Sequence, residues 1–347
     1  MSSPVTNMWR EAERIAPAPR LPLTSLCRHA RDRSDVPDGL KRYFAQRYAI
    51  FSRYDLGIRL TNAAWYGVTP EPIAQQIAQD MKNSDPSKRF LIDTFAGAGG
   101  NVIAFALSGR WERVIAIERD PNTLACAQHN ARLYGVDDSM ISWVLGDSFH
   151  YIDVLVNNPA QLHSNLRVDV NATVVFSSPP WGGPSYQLDK IFDLNRMEPY
   201  GLGQLHKAYK RLDHAIYLPR TSDIRQIADL IPDTQRIRVV QYCIMRASKA
   251  MVVYFPAQET QQTSASSPAT PTFASVARKA LDSSPVQTLA LAVTPTSTSG
   301  QGTTRPNSSG GVLYPSKQTN PCTPHFTPVA PLRLAPRFSM LKTPAWT

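Results

Sequence analysis

Phe90-Leu91-Ile92-Asp93-Thr94-Phe95-Ala96-Gly97-Ala98-Gly99-Gly100-Asn101 is the stretch whose reading decides the fold. Phe90 to Ile92 is a short apolar run of strand type, closed by an acidic residue. A glycine turn follows, and an apolar helical segment begins at about Val102. A strand that ends in a glycine turn at a helix N-terminus lets a nucleoside cofactor approach the backbone. The same pattern also serves as a plain tight turn or as another nucleotide site, so alone it decides no ligand.

Downstream the alternation continues. Val114 to Ile117 reads as a second strand ending at Glu118, and Asp120 caps a helix from Pro121 to about Tyr134 that Gly135 stops. Ile141 to Leu145 is a third strand followed by Gly146-Asp147, with helix over part of Phe149 to Val156. Val174 to Phe176 is a fourth strand, Leu202 to Leu212 a helix, and Ala215 to Leu218 a fifth strand. Ser222 to Leu230 is a further helix. Ile237 to Ile244 and Met251 to Phe255 form a closing antiparallel pair. Repeated strand–helix units predict an α/β, Rossmann-like fold with a doubly wound, mostly parallel sheet. Functional loops then lie at the carboxyl ends of the strands.

Upstream, Asp38 to about Tyr54 is predicted to be helical, with Tyr43, Arg47, Phe51 and Tyr54 at helical spacing. For most of these residues a core-facing stripe with Arg on the wet side is sufficient explanation. Thr69-Pro70-Glu71 reads as an N-cap, an N1 proline and an acidic first turn, opening a helix to about Lys82.

Composition divides the 347 residues into one regular region and two irregular ends. Residues 257–347 are dominated by Ser, Thr, Pro, Gln, Ala and Gly without helical or strand period, and are expected to be disordered. The Pro- and charge-rich residues 1–37 are expected to be disordered too. Between them lie a predicted helical lid, 38–72, and a core domain, 73–256, about 220 residues in all and enough for one α/β core. The formal net charge is +10, and seven basic against two acidic residues place half of that excess in the tail. Such a chain suits a polyanionic partner, though a solvated basic surface gives the same balance. Cys27, Cys126, Cys243 and Cys322 show no paired spacing, so neither a zinc site nor a disulfide framework is indicated. No signal core and no run of about 18 apolar residues is present, which predicts a reduced, intracellular protein without a membrane span.

The fourth strand leads into Ser178-Pro179-Pro180-Trp181-Gly182-Gly183-Pro184, 85 residues after Asp93. A small hydroxyl, two rigid prolines and an indole also occur in stiff loops with a buried ring. In this place, however, the run resembles the tetrad of amino-methyltransferases, where an aromatic ring stacks on a flat base beside its exocyclic amine. Order and spacing of the two motifs together point to a class I methyltransferase that binds S-adenosylmethionine. Glu118, at the end of the second strand, is placed to accept from ribose hydroxyls, and Asp147 from the adenine amino group. Either could instead cap a helix or end a strand. Asp93 faces the methionine part of the donor, and no metal is needed. The first tetrad position is Asp or Asn in adenine and cytosine enzymes; Ser178 argues against a DNA-adenine enzyme. Trp181 suits a cationic base, since indole gives the strongest cation–π attraction.

A wider set of motifs carries a more specific resemblance. Arg42-Tyr43-Phe44-Ala45-Gln46-Arg47-Tyr48, Phe51-Ser52-Arg53-Tyr54-Asp55, Thr69-Pro70-Glu71, Asp93 to Asn101, Ser178 to Pro184 and Leu218-Pro219-Arg220 resemble the trimethylguanosine synthase family. The resemblance runs in order over about residues 40 to 256. It implies transfer of two methyls from S-adenosylmethionine to the 2-amino group of a 7-methylguanosine RNA cap, giving 2,2,7-trimethylguanosine. It further implies that Trp181 stacks on the 7-methylguanine and that Ser178 and Pro179 lie beside its amine. Arg42 and Arg220 would then meet the cap phosphates. Phe51, Thr69, Asp93, Gly97, Gly99, Glu118, Asp147 and Ser178 would line the donor pocket. Capped small nuclear and nucleolar RNAs, small ribonucleoprotein proteins and a nuclear or nucleolar location follow from the same likeness.

The chain also departs from the family. Arg42 stands where Lys is expected, Glu118 where Asp is, and Ser185 where Asp is frequent. Residues Asn157 to Asn171 are expected to be a surface insertion, and the chain is expected to be a compact, catalytic-only form without the long amino-terminal extension of animal relatives. Two rivals remain: a guanine-2-amino methyltransferase of ribosomal or transfer RNA, and a catalytically silent cap-binding module.

Overall fold

Seven strands make one sheet: β1 (Phe90–Asp93), β2 (Arg113–Glu118), β3 (Ile141–Leu145), β4 (Thr173–Ser177), β5 (Asp213–Pro219), β6 (Arg238–Ile244) and β7 (Ala247–Phe255). In this computed structural model, residues 14–258 are described, apart from 83, 184, 185, 187, 233, 234, 245 and 246. The expectations for Ser185, for the tail from 259 onward and for residues 1–13 lie outside the described residues. Strand order is β3-β2-β1-β4-β5-β7-β6. The first five strands run parallel, and β7 pairs antiparallel with both β5 and β6. This is the Rossmann-like class I methyltransferase arrangement that the alternating sequence predicts.

Side chains alternate between two apolar layers, as strand geometry requires. Leu91, Val114, Ala116, Val174 and Phe176 pack on one face, against α4 (Glu71–Lys82) and α5 (Gly100–Leu107). On that face also lies α6 (Pro121–Leu133), through Ala125 and Cys126. Ile92, Ile115, Ile117 and Val175 pack on the other, against α7 (Ser148–Asn157) and α8 (Leu202–Tyr209). Every residue of β4 and β5 is buried, which is why these segments read as unbroken apolar runs. The helix expected over Ser222 to Leu230 shortens to α9 (Ile224–Ala228).

Four expectations need correction. The helix predicted over residues 38–54 is broken into a 3-10 turn, α1 (Lys41–Phe44), α2 (Arg47–Ile50) and a second 3-10 turn at Tyr54–Leu56. The break at Ala45–Gln46 lets the Arg47 guanidinium lie 4.4 Å from the Phe44 ring centroid and 4.3 Å from that of Tyr48. Arg47 is therefore part of the packing rather than a free wet-side charge. Residues 14–37, expected to lack order, are laid along the domain instead. Cys27, Ala30 and Val36 are buried, Gln128 of α6 exchanges hydrogen bonds with the Leu21 and Pro19 backbone, and Tyr54 donates to the Ala30 carbonyl. Composition hid this because the anchors are single side chains in a polar stretch. Finally, the 157–171 segment is not purely a surface insertion. Leu162 and Leu166 are fully buried, and Tyr151 donates to the Leu166 carbonyl.

The carboxyl-terminal edge of the domain also sits two residues later than composition suggests. Ala257 N–H donates to Asp213 at 2.7 Å, and Gln258 N–H to the Lys210 carbonyl at 2.7 Å. Both bonds hold the chain onto β5 and α8 after β7 has ended.

Candidate active site

The sheet order reverses between β1 and β4, and crevices for ligands open at such a point beyond the carboxyl ends of the strands. Asp93 ends β1, in register with Phe176 of β4 and Ala116 of β2. Glu118 ends β2 in register with Leu145 of β3, two residues before Asp147. Ser178-Pro179-Pro180-Trp181 leaves β4 beside Asp93's strand. The carboxyl ends of β1 to β4 thus bring Asp93, Glu118, Asp147 and the Ser178–Trp181 loop to the side of the sheet where such a crevice opens.

Asp93 has no exposure, and its Oδ1 accepts only the Phe95 N–H, at 3.2 Å. Its Oδ2 meets no hydrogen-bond donor. Burial first, and the neighbouring Glu118 charge in addition, push its pKa up to about 7 against the pull of the Phe95 N–H. Glu118 accepts from the N–H groups of Gly97 (3.0 Å), Arg119 (2.8 Å) and Asp120 (2.9 Å). Burial still raises its pKa, opposed by those three donors. Asp147 is the N-cap of α7, its Oδ1 taking the Phe149 and His150 amides, while Oδ2 accepts the Tyr200 hydroxyl at 2.7 Å. Burial acts upward on Asp147, but those hydrogen bonds outweigh it and its pKa is lowered. The cap reading of Asp147 is therefore realised; it leaves the carboxylate ionised at the rim of the crevice.

The glycine turn has a steric reason for its composition. Gly97 and Gly99 have φ of 52° and 94°, where a Cβ is strained. A Cβ on Gly99 would lie 3.3 Å from Ala127 Cα, and one on Gly100 would lie 3.2 Å from the Thr69 carbonyl. Thr69 is buried and accepts from Asn101 Nδ2 at 3.0 Å, so the segment preceding α4 closes over the turn. Phe51 is buried against Tyr134 and shares a core cluster with Ala96 and Ala98 of the turn.

Trp181 is half-buried. Its indole stacks on Tyr217 with centroids 5.4 Å apart and planes at 19°, and its Nε1–H donates to the Tyr217 carbonyl at 3.3 Å. Tyr186 meets the indole edge-on at 4.8 Å. Burial raises the Tyr217 pKa, and the nearby Thr69 side chain acts against it. One buried tyrosine on β5 therefore supports the loop that bears Trp181. Sequence reading missed it; its signal was a hydroxyl-bearing aromatic in the all-apolar run preceding Leu218-Pro219-Arg220. Asn130 was missed too. Fully buried on α6, it donates to the Ala98 and Arg59 carbonyls and accepts the Arg59 N–H, pinning turn and amino-terminal segment together.

Not every expected residue is in the crevice. Arg220 is exposed directly after β5. Arg42 is exposed on α1 and donates to the Tyr43 hydroxyl at 2.6 Å. It lines a separate hollow of about 720 Å³ together with Arg33, Lys41 and Tyr66. Among the described residues no group of three His, Cys, Asp or Glu could hold a metal, and no helix is long and apolar enough to cross a membrane.

S-adenosylmethionine fits this crevice: an unpartnered buried carboxylate oxygen suits its ammonium, and the glycine turn admits its close approach. Fold and site together define a class I, S-adenosylmethionine-dependent methyltransferase. Residues 88–258 match the family model described as RNA cap guanine-N2 methyltransferase. The trimethylguanosine synthase of Schizosaccharomyces pombe is 36% identical over 222 residues, covering 63% of this chain and 87% of that protein. That of Saccharomyces cerevisiae is 34% identical over 193 residues, covering 54% of this chain and 57% of that protein. Among solved structures, a putative methyltransferase from Porphyromonas gingivalis has 13% identity and a TM-score of 0.45, covering 65% of this chain and 52% of that one. The chain belongs to the RNA cap guanine-N2 methyltransferase family, and its activity is methyl transfer to guanine N2 of capped RNA.

Proposed function

We propose that this chain carries two methyl groups to the 2-amino group of a 7-methylguanosine cap, giving 2,2,7-trimethylguanosine. The observation that carries the reading is the Ser178–Trp181 loop, which leaves β4 next to the unpartnered carboxylate of Asp93 on β1. Asp93 holds the donor's ammonium, Glu118 its ribose hydroxyls and Asp147 its adenine amine, with Gly97, Gly99, Thr69 and Phe51 shaping the wall. The bound sulfonium supplies the electrophilic methyl. Trp181 stacks on the positively charged 7-methylguanine, and the rigid Pro179-Pro180 pair fixes that plane against the donor. Ser178 would accept from the amine N–H as positive charge gathers there; the N–C bond would form as the S–CH3 bond breaks to leave a neutral thioether, and the amine proton would then pass to solvent water. After one transfer the amine still carries an N–H, so the same groups serve a second.

Mass spectrometry of a 7-methylated cap dinucleotide incubated with enzyme and donor should show two added methyls, and an unmethylated cap dinucleotide none. Transfer to the unmethylated cap, or to neither, would refute the reading. A nuclear or nucleolar location, with small nuclear and nucleolar RNAs as substrates and their ribonucleoprotein proteins as partners, belongs to the same proposal.

Arg42 and Arg220 bind the cap phosphates, which lie away from the reacting amine. Each Ala variant should raise KM several-fold with kcat held, and should weaken the salt dependence of capped-RNA binding. A pure kcat defect in both would contradict that role. We also propose that residues 259–347 serve RNA capture rather than chemistry. A chain ending at Gln258 should keep full turnover on the dinucleotide and lose affinity for long capped RNA chiefly at low salt. Loss of dinucleotide turnover would place the boundary further along.

A further inference from the structure

The hollow on the amino-terminal segment has properties that cap binding does not use. It measures about 720 Å³ and is lined by Arg33, Asp38, Gly39, Lys41, Arg42 and Tyr66, with Ala45. That is within the size range of small-ligand sites and larger than one phosphate group needs. Three cations face one carboxylate: Lys41 Nζ lies 2.5 Å from Asp38, so the cleft stays net positive with that pair made. Tyr66 is 43% exposed and meets Tyr43 edge-on at 5.2 Å, which leaves its ring accessible from the hollow. A Cβ on Gly39 would come within 3.2 Å of the Tyr66 hydroxyl, so glycine there lets the phenol sit against the turn.

Contacts connect this hollow to the crevice. Tyr66 lies on α3 (Ala64–Gly67), two residues before Val68, whose Cγ2 would be 3.1 Å from a Cβ on Gly100, and three before Thr69. The Thr69 side chain is near Tyr217, on which Trp181 stacks. Arg42, given above to the cap phosphates, is on the hollow's wall. A positive groove with an exposed aromatic is the usual equipment for single-stranded nucleic acid.

We propose that the hollow holds the first nucleotides of the RNA beyond the cap, one base against Tyr66 and a backbone phosphate at Arg33 and Lys41. The proposal rests on the cap-binding reading of Trp181 and Arg42. Fluorescence titration with two probes tests it: 7-methylguanosine triphosphate, and a capped five-nucleotide RNA. Wild-type protein should bind the capped RNA tighter than the triphosphate. Tyr66→Ala should remove on the order of tenfold of that advantage, and Tyr66→Phe should keep it. Arg33→Ala, at an exposed position, should lower the slope of log affinity against log salt for the capped RNA by about 0.7, without changing triphosphate binding. Equal wild-type affinity for the two probes, or equal losses on both in the variants, would overturn the proposal. Absence of triphosphate binding by wild type would instead refute the cap reading on which it stands.

Discussion

Trp181→Ala should remove most cap binding while leaving donor binding within a few-fold. A desolvated cation–π contact contributes about 2 kcal/mol or more, which is roughly thirtyfold in affinity, and the lost orientation lowers turnover further. The indole also packs on Tyr217 and donates to its carbonyl, so the Ala variant alone would confound stacking with support. The decisive measurement is a ratio. Wild-type protein should prefer the 7-methylated, cationic cap over the unmethylated, neutral one, and the preference should shrink in Trp181→Phe and vanish in Trp181→Ala. A packing defect would weaken both ligands alike and leave the ratio unchanged. An unchanged ratio in Trp181→Ala would therefore remove the indole from the cap site.

The order of the sheet was legible because each parallel strand is buried on both faces and stands out as an apolar run bounded by turn residues. Val174 to Phe176 could not be missed, since every residue of β4 is buried. The amino-terminal segment was not legible in the same way. Its order comes from isolated tertiary bonds, such as Arg59 to the Cys27 carbonyl at 2.8 Å and Tyr54 to that of Ala30 at 2.9 Å. Such bonds leave no period in the sequence. The broken helix over 38–54 is a related case. Aromatic spacing alone fits one straight helix; the bend at Gln46 is set by tertiary packing around Arg47.

Within the site, the residues proposed to meet ligands were legible, and those that support them were not. Asp93, Glu118 and Asp147 follow strand ends in a fold whose strand ends carry function, so position alone selected them. Tyr217 and Asn130 act through neighbours: one supports Trp181, the other joins Ala98 to Arg59. Such roles exist only once the chain is folded. Asp147 shows the reverse case, since its helix-capping bonds and its rim position are both real, and neither reading had to exclude the other.

Donor affinity should fall about tenfold for each pH unit below 7, because the buried Asp93 carboxylate takes up a proton there. In the proposed role only its ionised form pairs with the donor's ammonium, and no hydrogen-bond donor of the protein meets its Oδ2. Linkage gives the matching stability effect. The folded-state pKa is raised above the unfolded value of 3.8, so between about 3.8 and 7 the folded protein binds more protons than the unfolded chain. Asp93's contribution to ligand-free stability is therefore fully present below that window and lost as pH rises through about 7. At pH 8 the ionised, unpartnered carboxylate costs up to about 4 kcal/mol by this linkage, less whatever the fold relaxes. Asp93→Asn removes the charge. The variant should melt higher than wild type at pH 8 without donor, gain nothing on adding donor, and show donor binding weakened at least a hundredfold with no slope between pH 5.5 and 7.5. The Glu118 pKa is raised as well, so Glu118→Gln serves as the control: it should weaken binding yet keep the slope that Asp93 sets, with its onset moved to lower pH because the Glu118 charge no longer raises Asp93. Calorimetric titration of the donor across that range decides the matter. A wild-type affinity that does not change with pH, or an Asn variant that binds within a few-fold, would take Asp93 out of contact with the donor's ammonium.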